Sequence, residues 1–337
     1  MKAVGYRQPR PIEDPEALLD IDLPEPEVSG HDLLVEVQAV SVNPVDTKIR
    51  QSAGPLDGEF RVLGWDAAGV VRQVGGHVTL FKPGDRVMYA GTLLRQRTNS
   101  ELHVVDERIV GRMPTSVGFE EAAALPLTSL TAWELLFDRL QVAQDTAVQS
   151  GALLIVGAGG GVGSIMVQLA RKLTGLVVVG TASREKTQEW VRALGAHHVI
   201  DHTRSLAEQM ADVGIGHARY VASLTHSDQH LPQVVEALAP QGKLGIIDDP
   251  QTFDILLLKR KSISLHWEFM YTRSMFHTAD MIEQHNILNR IAEMVDGGVL
   301  KSTLAERFGA INAANLRRAH QLLESGRSCG KIVLSGF

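Results

Sequence analysis

The spacing of apolar positions changes along this chain, and the changes divide it. Leu33 to Val42 (LLVEVQAVSV) alternates apolar and polar residues, which predicts a strand with one wet face. Ala67 to Val74 (AAGVVRQV) reads the same way, and Arg86 to Tyr89 starts a further strand after the Pro83-Gly84-Asp85 turn. Helical spacing is scarce up to residue 123, so this part is predicted to be an all-β, barrel-like domain. Near Phe119 the period lengthens. Glu120 to Leu125 and Leu130 to Leu140 read as helix, with Trp133, Leu136 and Leu140 on one stripe.

From Leu153 onward short apolar runs alternate with amphipathic stretches. Strands are predicted at 153–156, 176–180, 198–200, 219–224 and 243–247, and helices at 162–173, 185–194, 205–211 and 231–239. Strand and helix in alternation imply βαβ units and a doubly wound parallel sheet, an α/β fold. Right-handed crossovers then put the loops that follow the strands along one edge, where ligands bind. The tail differs again. Ser262 to Trp267 reads as a strand, and Met281 to Val295 as an amphipathic helix stopped by Gly297-Gly298. Asn312 caps a helix running to Ser325 with Gly326 just beyond, and Gly330 to Leu334 is a last strand. A strand this late is expected to return to the first domain. The parallel-sheet domain, 124–265, is then an insertion between 1–123 and 266–337.

The sharpest local signal is Leu153 to Leu173, LLIVGAGGGVGSIMVQLARKL. A buried strand runs into Gly157, Gly159, Gly160, Gly161 and Gly163, and a helix follows with Val162, Ile165, Met166, Leu169 and Leu173 on one face. This order sets bare backbone N–H groups and a helix N-terminus beside a phosphate. A strict GxGxxG is absent, since its first glycine is Ala158. Alanine is small enough for the turn. Gly160 lets a diphosphate approach the backbone, and Gly163 lets the helix pack close to the sheet. Twenty residues past Gly163, where an acid would hold the ribose 2′-OH of NAD, stand Ser183, Arg184 and Lys186, with Glu185 the only acid. A hydroxyl and two cations suit a 2′-phosphate, which points to NADPH. The same residues also read as a solvated helix start.

Composition narrows the classes. At 337 residues two domains are the default, and 44% hydrophobic with 21% charged residues describes a globular chain with a large core. The net charge of −6 disfavours nucleic acid and anionic membrane as partners. The single cysteine, Cys329, rules out an intramolecular disulfide and a thiolate zinc cluster. No secretory leader or membrane span is legible, so a cytoplasmic setting is expected.

Several segments together resemble one family. They are Ser41-Val42-Asn43-Pro44-Val45-Asp46, Gly64-Trp65-Asp66-Ala67-Ala68-Gly69-Val70-Val71, Lys82-Pro83-Gly84-Asp85-Arg86-Val87, the turn with Gly160-Gly161-Val162-Gly163, and Gly330-Lys331-Ile332-Val333-Leu334. The chain resembles the medium-chain dehydrogenase/reductase superfamily in its zinc-free quinone oxidoreductase branch. The stretch from Leu265 to His320 is similar to a subfamily often labelled zinc-type alcohol dehydrogenase-like. The resemblance implies a Rossmann doubly wound parallel sheet inserted in a GroES-like β-barrel catalytic domain. It also implies that Thr128 and Thr131 lie near the nicotinamide end and that Ser223 to Thr225 border the cofactor, as do Ile246 to Asp248. A homodimer is implied as well, with edge strands of the two parallel sheets pairing and Ile255 to Leu258 near that edge.

The zinc label meets contrary chemistry. Zinc alcohol dehydrogenases carry Cys where this chain has Asn43 and His-Glu where it has Trp65-Asp66, and no third ligand stands between Trp133 and Gly151. Catalytic zinc needs three protein ligands, so no metal is expected. His226 and His230 are four apart without a third partner. Without a Lewis acid, hydride transfer suits an acceptor that is already electron-poor, a quinone or an α,β-unsaturated carbonyl. Charge developing on the acceptor oxygen needs a donor. Asn43 can be that donor or simply a turn residue before Pro44, and the sequence leaves both open. Asp46 and Lys48 are expected to orient the loop or shape the cleft. Trp65 and Tyr89 read equally as a wall for a planar small-molecule substrate and as core. Two alternatives stay open beside an NADPH-dependent quinone or enone reductase: an enoyl-thioester reductase, and a nucleotide-binding redox sensor without turnover.

Overall fold

The computed structural model describes residues 1–55, 59–95, 97–147 and 151–337. They form two compact units, Met1–Leu130 joined by Tyr271–Phe337, and Thr131–Met270.

The first unit is built on the long strand Asp32–Val42. It pairs antiparallel with Ala67–Val74, Leu102–Asp106 and the closing strand Lys331–Ser335. The late strand thus returns to the first part of the chain, with Ile332 opposite Val42 and Leu334 opposite Val40. Gly69 is required where the first two strands cross most closely, because a Cβ there would lie 2.2 Å from Glu36 O. One helix, Pro44–Ser52, is not foreseen by the apolar spacing. Its signal is chemical rather than periodic. Asn43 is the N-cap, Pro44 opens the first turn, and Asp46 completes a capping box.

The second unit is a six-stranded parallel sheet flanked by helices. Its strands stand in the order His198–Ile200, Val177–Thr181, Ala152–Val156, Ala218–Ser223, Leu238–Ile246 and Ser264–Trp267. Ala152–Val156 lies inside the sheet and is buried at every position, which is why its sequence runs apolar without alternation. The strand legible at 262–267 is the sixth of this sheet, pairing Lys243 with Ser264 through Ile246 with Trp267. The unit therefore closes at Met270 and not inside that strand at 265. Leu154, Val156, Val179, Val221, Leu231, Val234, Leu244 and Ile246 form its core. Burying each such side chain stabilises the fold by about 1.5–3 kcal/mol.

The helix expected over Leu130 to Leu140 changes its winding. Pro126–Trp133 is α-helical, and Glu134–Arg139 widens to a π-turn in which Leu140 N–H bonds to Leu135 O at 2.9 Å. Leu135 packs where Gly245 leaves space: a Cβ on Gly245 would come within 2.5 Å of Leu135 Cδ1. No helix among the described residues is long and apolar enough to cross a membrane.

Candidate active site

In the second unit the glycine turn has the geometry of a phosphate cradle, and each glycine has a separate cause. Gly157 adopts φ +83°, the left-handed region that side chains disfavour. A Cβ on Gly159 would meet Thr187 Cγ2 at 2.1 Å, and one on Gly163 would meet Gly157 O at 2.5 Å and Ala158 Cα at 2.6 Å. Gly160 differs, since a Cβ there would find nothing nearer than Gly157 O at 3.5 Å. Its missing side chain leaves an open approach rather than relieving a packing clash. Gly160 is the N-cap of the helix Gly161–Leu173, and Ser164 N–H makes the bond back to Gly160 O at 2.9 Å. The amides of Gly161, Val162 and Gly163 precede that bond, so they carry the positive end of the helix. No acid stands in its first turn to compete for them.

The neighbouring strand ends complete the rim. Gly157 N–H donates to Thr181 Oγ1 at 3.1 Å, tying the turn to the adjacent strand Val177–Thr181. Just past that strand Ser183, Arg184 and Lys186 are exposed, with Arg184 the N-cap of Glu185–Ala193. Thr225 is half-buried against the turn, its hydroxyl paired with His226 Nδ1 at 2.8 Å. A Cβ on Gly157 would meet the Thr225 methyl at 2.9 Å. Asp248 accepts from Ser227 Oγ at 2.6 Å and Ser227 N–H at 2.9 Å, and Ser227 Oγ lies 2.8 Å from Ser223 Oγ. That network fixes the start of the next helix. Asp248 therefore supports the rim through Ser227, a residue that motif reading passed over. An unobstructed Gly160, the free first-turn amides of the helix and a cationic strand end fit a dinucleotide.

In the first unit Asn43, Asp46 and Asp66 meet a residue the sequence reading did not single out, Lys331. All four are buried. Asp46 Oδ2 accepts from Asn43 N–H at 2.8 Å and its Oδ1 from Gly64 N–H at 2.9 Å. Burial pushes the Asp46 carboxyl up to about 7, against those two N–H groups and the charge of Lys331. Asp66 Oδ1 accepts from Leu127 N–H at 2.7 Å, and its Oδ2 accepts from Asn43 Nδ2 at 2.8 Å and Lys331 Nζ at 2.9 Å. Burial raises the Asp66 carboxyl too, with Lys331 opposing. Asn43 Nδ2 also donates to Ser41 O at 3.2 Å, and Asn43 Oδ1 accepts from Lys331. Both amide hydrogens of Asn43 are thus engaged within the protein, and Asn43 also opens the helix as its N-cap.

The two aromatic candidates are fully buried. Trp65 Nε1 donates to Thr92 O at 3.3 Å, the Tyr271 ring meets its edge at 6.4 Å, and the Arg97 guanidinium stacks 4.9 Å from the Trp65 ring. Tyr89 stacks on His103 at 5.4 Å with its hydroxyl 3.1 Å from Nδ1, and burial raises its phenol. Thr128 is buried and donates to Leu125 O at 3.3 Å.

Two family models match the chain: the alcohol dehydrogenase GroES-like domain over residues 29–133 and the zinc-binding dehydrogenase over 194–334. A zinc-type alcohol dehydrogenase-like protein of Staphylococcus epidermidis is 38% identical over 337 residues, covering 99% of each chain. A crystal structure of a zinc-dependent alcohol dehydrogenase candidate from Rhizobium etli CFN 42 is 56% identical with TM-score 0.96, covering 100% of this chain and 98% of that one. The Escherichia coli quinone oxidoreductase complexed with NADPH is 25% identical with TM-score 0.84, covering 99% and 100%.

The zinc in two of those names meets the residues present. Among the described residues no group of three or more His, Cys, Asp and Glu side chains is placed to hold a metal. Around Asn43 and Asp66 the donors are oxygens already engaged by an ammonium and by amides, without a sulfur or imidazole. Among the described residues, the donors around Asn43 and Asp66 do not fit zinc. The motifs, the inserted parallel sheet and these relatives agree, and the chain belongs to the medium-chain dehydrogenase/reductase superfamily of oxidoreductases, in its quinone oxidoreductase branch.

Proposed function

We propose that this chain is an NADPH-dependent reductase that passes hydride to quinones or α,β-unsaturated carbonyls without a metal. The observation that carries the reading is the strand end beside the glycine turn, where Ser183, Arg184 and Lys186 stand exposed in place of an acid. When bound, the reduced nicotinamide supplies the hydride. The chain's own residues do the rest. The amides of Gly161, Val162 and Gly163 bind the diphosphate, and Ala158 keeps the turn tight. Ser183 donates to the 2′-phosphate while Arg184 and Lys186 neutralise it. Thr128 and Thr225 border the cofactor, while Trp65 and Tyr89, both fully buried, back the substrate side as core rather than lining it. Asn43 offers the acceptor oxygen the hydrogen now in its longer bond, 3.2 Å to Ser41 O, and Asp46 holds Asn43 in place through the backbone.

The test is a panel of simple quinones and enones assayed with both carriers on chelator-treated protein. We expect NADPH preferred over NADH by roughly tenfold or more, and Arg184→Glu to abolish that preference. A preference for NADH overturns the roles of Ser183 and Arg184. Activity that chelation removes and zinc restores overturns the metal-free part. No oxidation of either carrier above background leaves a nucleotide-binding protein without turnover. The assembly we infer is a homodimer through the sheet edge Ser264–Trp267, where Trp267 is 53% exposed. Light scattering should give twice the chain mass, and Trp267→Lys should halve it.

A further inference from the structure

Lys331 is 3% exposed, and its ammonium has three oxygen acceptors for three hydrogens. They are Val42 O at 3.1 Å, Asp66 Oδ2 at 2.9 Å and Asn43 Oδ1. A backbone carbonyl, a carboxamide oxygen and a carboxylate are the donor set of a hard cation. Three chain segments bring them together. Val42 ends the central strand with Asn43 next to it, Asp66 directly precedes Ala67–Val74, and Lys331 opens the closing strand. The pairings Ile332 with Val42 and Val40 with Ala67 set all three at one end of the sheet.

We propose that Lys331 is the resident cation of this oxygen-lined centre, its ammonium standing where a divalent metal would otherwise bind and closing the centre to metals. The proposal deepens the metal-free reading above and rests on it. No second cation can share the centre. The other oxygen of Asp66 is held by Leu127 N–H, and both oxygens of Asp46 are held by the amides of Asn43 and Gly64. A divalent ion would also face the ammonium at contact distance without a carboxylate of its own. Lys331 is at the same time a positioning residue. By donating to Asn43 Oδ1 it fixes which end of that carboxamide carries the hydrogens, so these face Ser41 O and Asp66.

The experiment titrates chelator-treated protein with Mn²⁺, reading the free ion by electron paramagnetic resonance. Wild type should show no saturable one-to-one site. Lys331→Ala should gain one, roughly tenfold or more above the nonsaturable background of wild type, with waters completing the shell. Asp66→Asn in the Lys331→Ala background should remove it. Should the alanine variant fail to fold, Lys331→Met keeps the stem, and the double variant Lys331→Met/Asp66→Asn should melt above Lys331→Met alone. Stoichiometric zinc in wild type that Asp66→Asn removes would overturn the proposal. So would a folded Lys331→Ala with the Mn²⁺ affinity of wild type, or strict additivity in the double-variant cycle. None of these readouts depends on turnover. A protein that reduces quinones with NADPH yet fails them keeps the functional reading and loses this inference, and the reverse outcome separates the two equally.

Discussion

A titratable ring buried without a hydrogen-bond partner sets a pH dependence at one residue, His320. It is fully buried on the helix Ala313–Glu324, and neither ring nitrogen has a hydrogen-bond partner among the described residues. Burial first, and the Arg50 guanidinium second, hold its imidazole down to about 3. The folded state thus keeps the ring neutral where an unfolded chain would protonate it near 6.5. Its contribution to stability is complete above that value and is lost as pH falls toward the folded value, at about 1.4 kcal/mol per pH unit. We expect His320→Leu to flatten the fall in stability between pH 7 and pH 4 relative to wild type. It should cost little at pH 7, because two unsatisfied nitrogens leave with the ring. Urea midpoints of both proteins at each pH check this, and parallel curves would mean that His320 does not carry the acid sensitivity. Nothing in the sequence flagged the residue. A histidine in an amphipathic stretch reads as surface, and only packing buries it.

At the scale of elements, the glycine turn yields a paired prediction, since two of its glycines are required for different reasons. Gly163→Ala drives a Cβ into Gly157 O and Ala158 Cα, both backbone atoms that have no side-chain freedom to yield. It should destabilise the fold by about 1–3 kcal/mol and lose the nucleotide as a consequence. Gly160→Ala has room in the protein itself, so its melting temperature should stay near wild type while NADPH affinity falls through lost approach to the diphosphate. Melting curves and NADPH titration by fluorescence separate the two. A Gly160→Ala protein that binds normally would place the diphosphate elsewhere. This element was legible because apolar spacing changes abruptly from a strand run to a helix face across Gly157 to Gly163. The cap of Asn312 on its helix was legible for a similar local reason, its side chain accepting from Asn315 N–H at 2.8 Å. Elements fixed by distant contacts were not. The π-turn at Glu134–Arg139 packs Leu135 against Gly245 across the unit, and Lys331 reads as an ordinary charged strand start until the fold sets it against Asp66. The helix Pro44–Ser52 was missed although its N-cap and capping-box acid were in view, because too few apolar residues mark its face.

For the whole molecule, the insertion makes the two units unequal in what they need from the chain. Thr131–Met270 is continuous, and one of its buried clusters, from Leu154 to Ile263, draws every side chain from within it. Met1–Leu130 is not self-sufficient. Its central strand Asp32–Val42 takes one neighbour from Lys331–Ser335, and buried Asp66 takes its counter-charge from Lys331. Cutting the chain therefore has an asymmetric outcome. A fragment of residues 131–270 should fold cooperatively and bind NADPH through the turn it contains in full. A fragment of residues 1–130 should not, since it would expose the paired edge of its longest strand and leave a buried carboxylate without an ammonium, a loss of about 3–5 kcal/mol. Circular dichroism melts and amide dispersion in nuclear magnetic resonance spectra read both fragments. Adding a separate fragment of residues 271–337 should restore order to the first, because it returns the strand and the ammonium together. Substituting Lys331→Met in that added fragment should weaken the rescue far more than a surface change would. Cooperative folding of 1–130 alone would show that the closing strand decorates the first unit rather than completing it, and that Asp66 does not need the ammonium of Lys331.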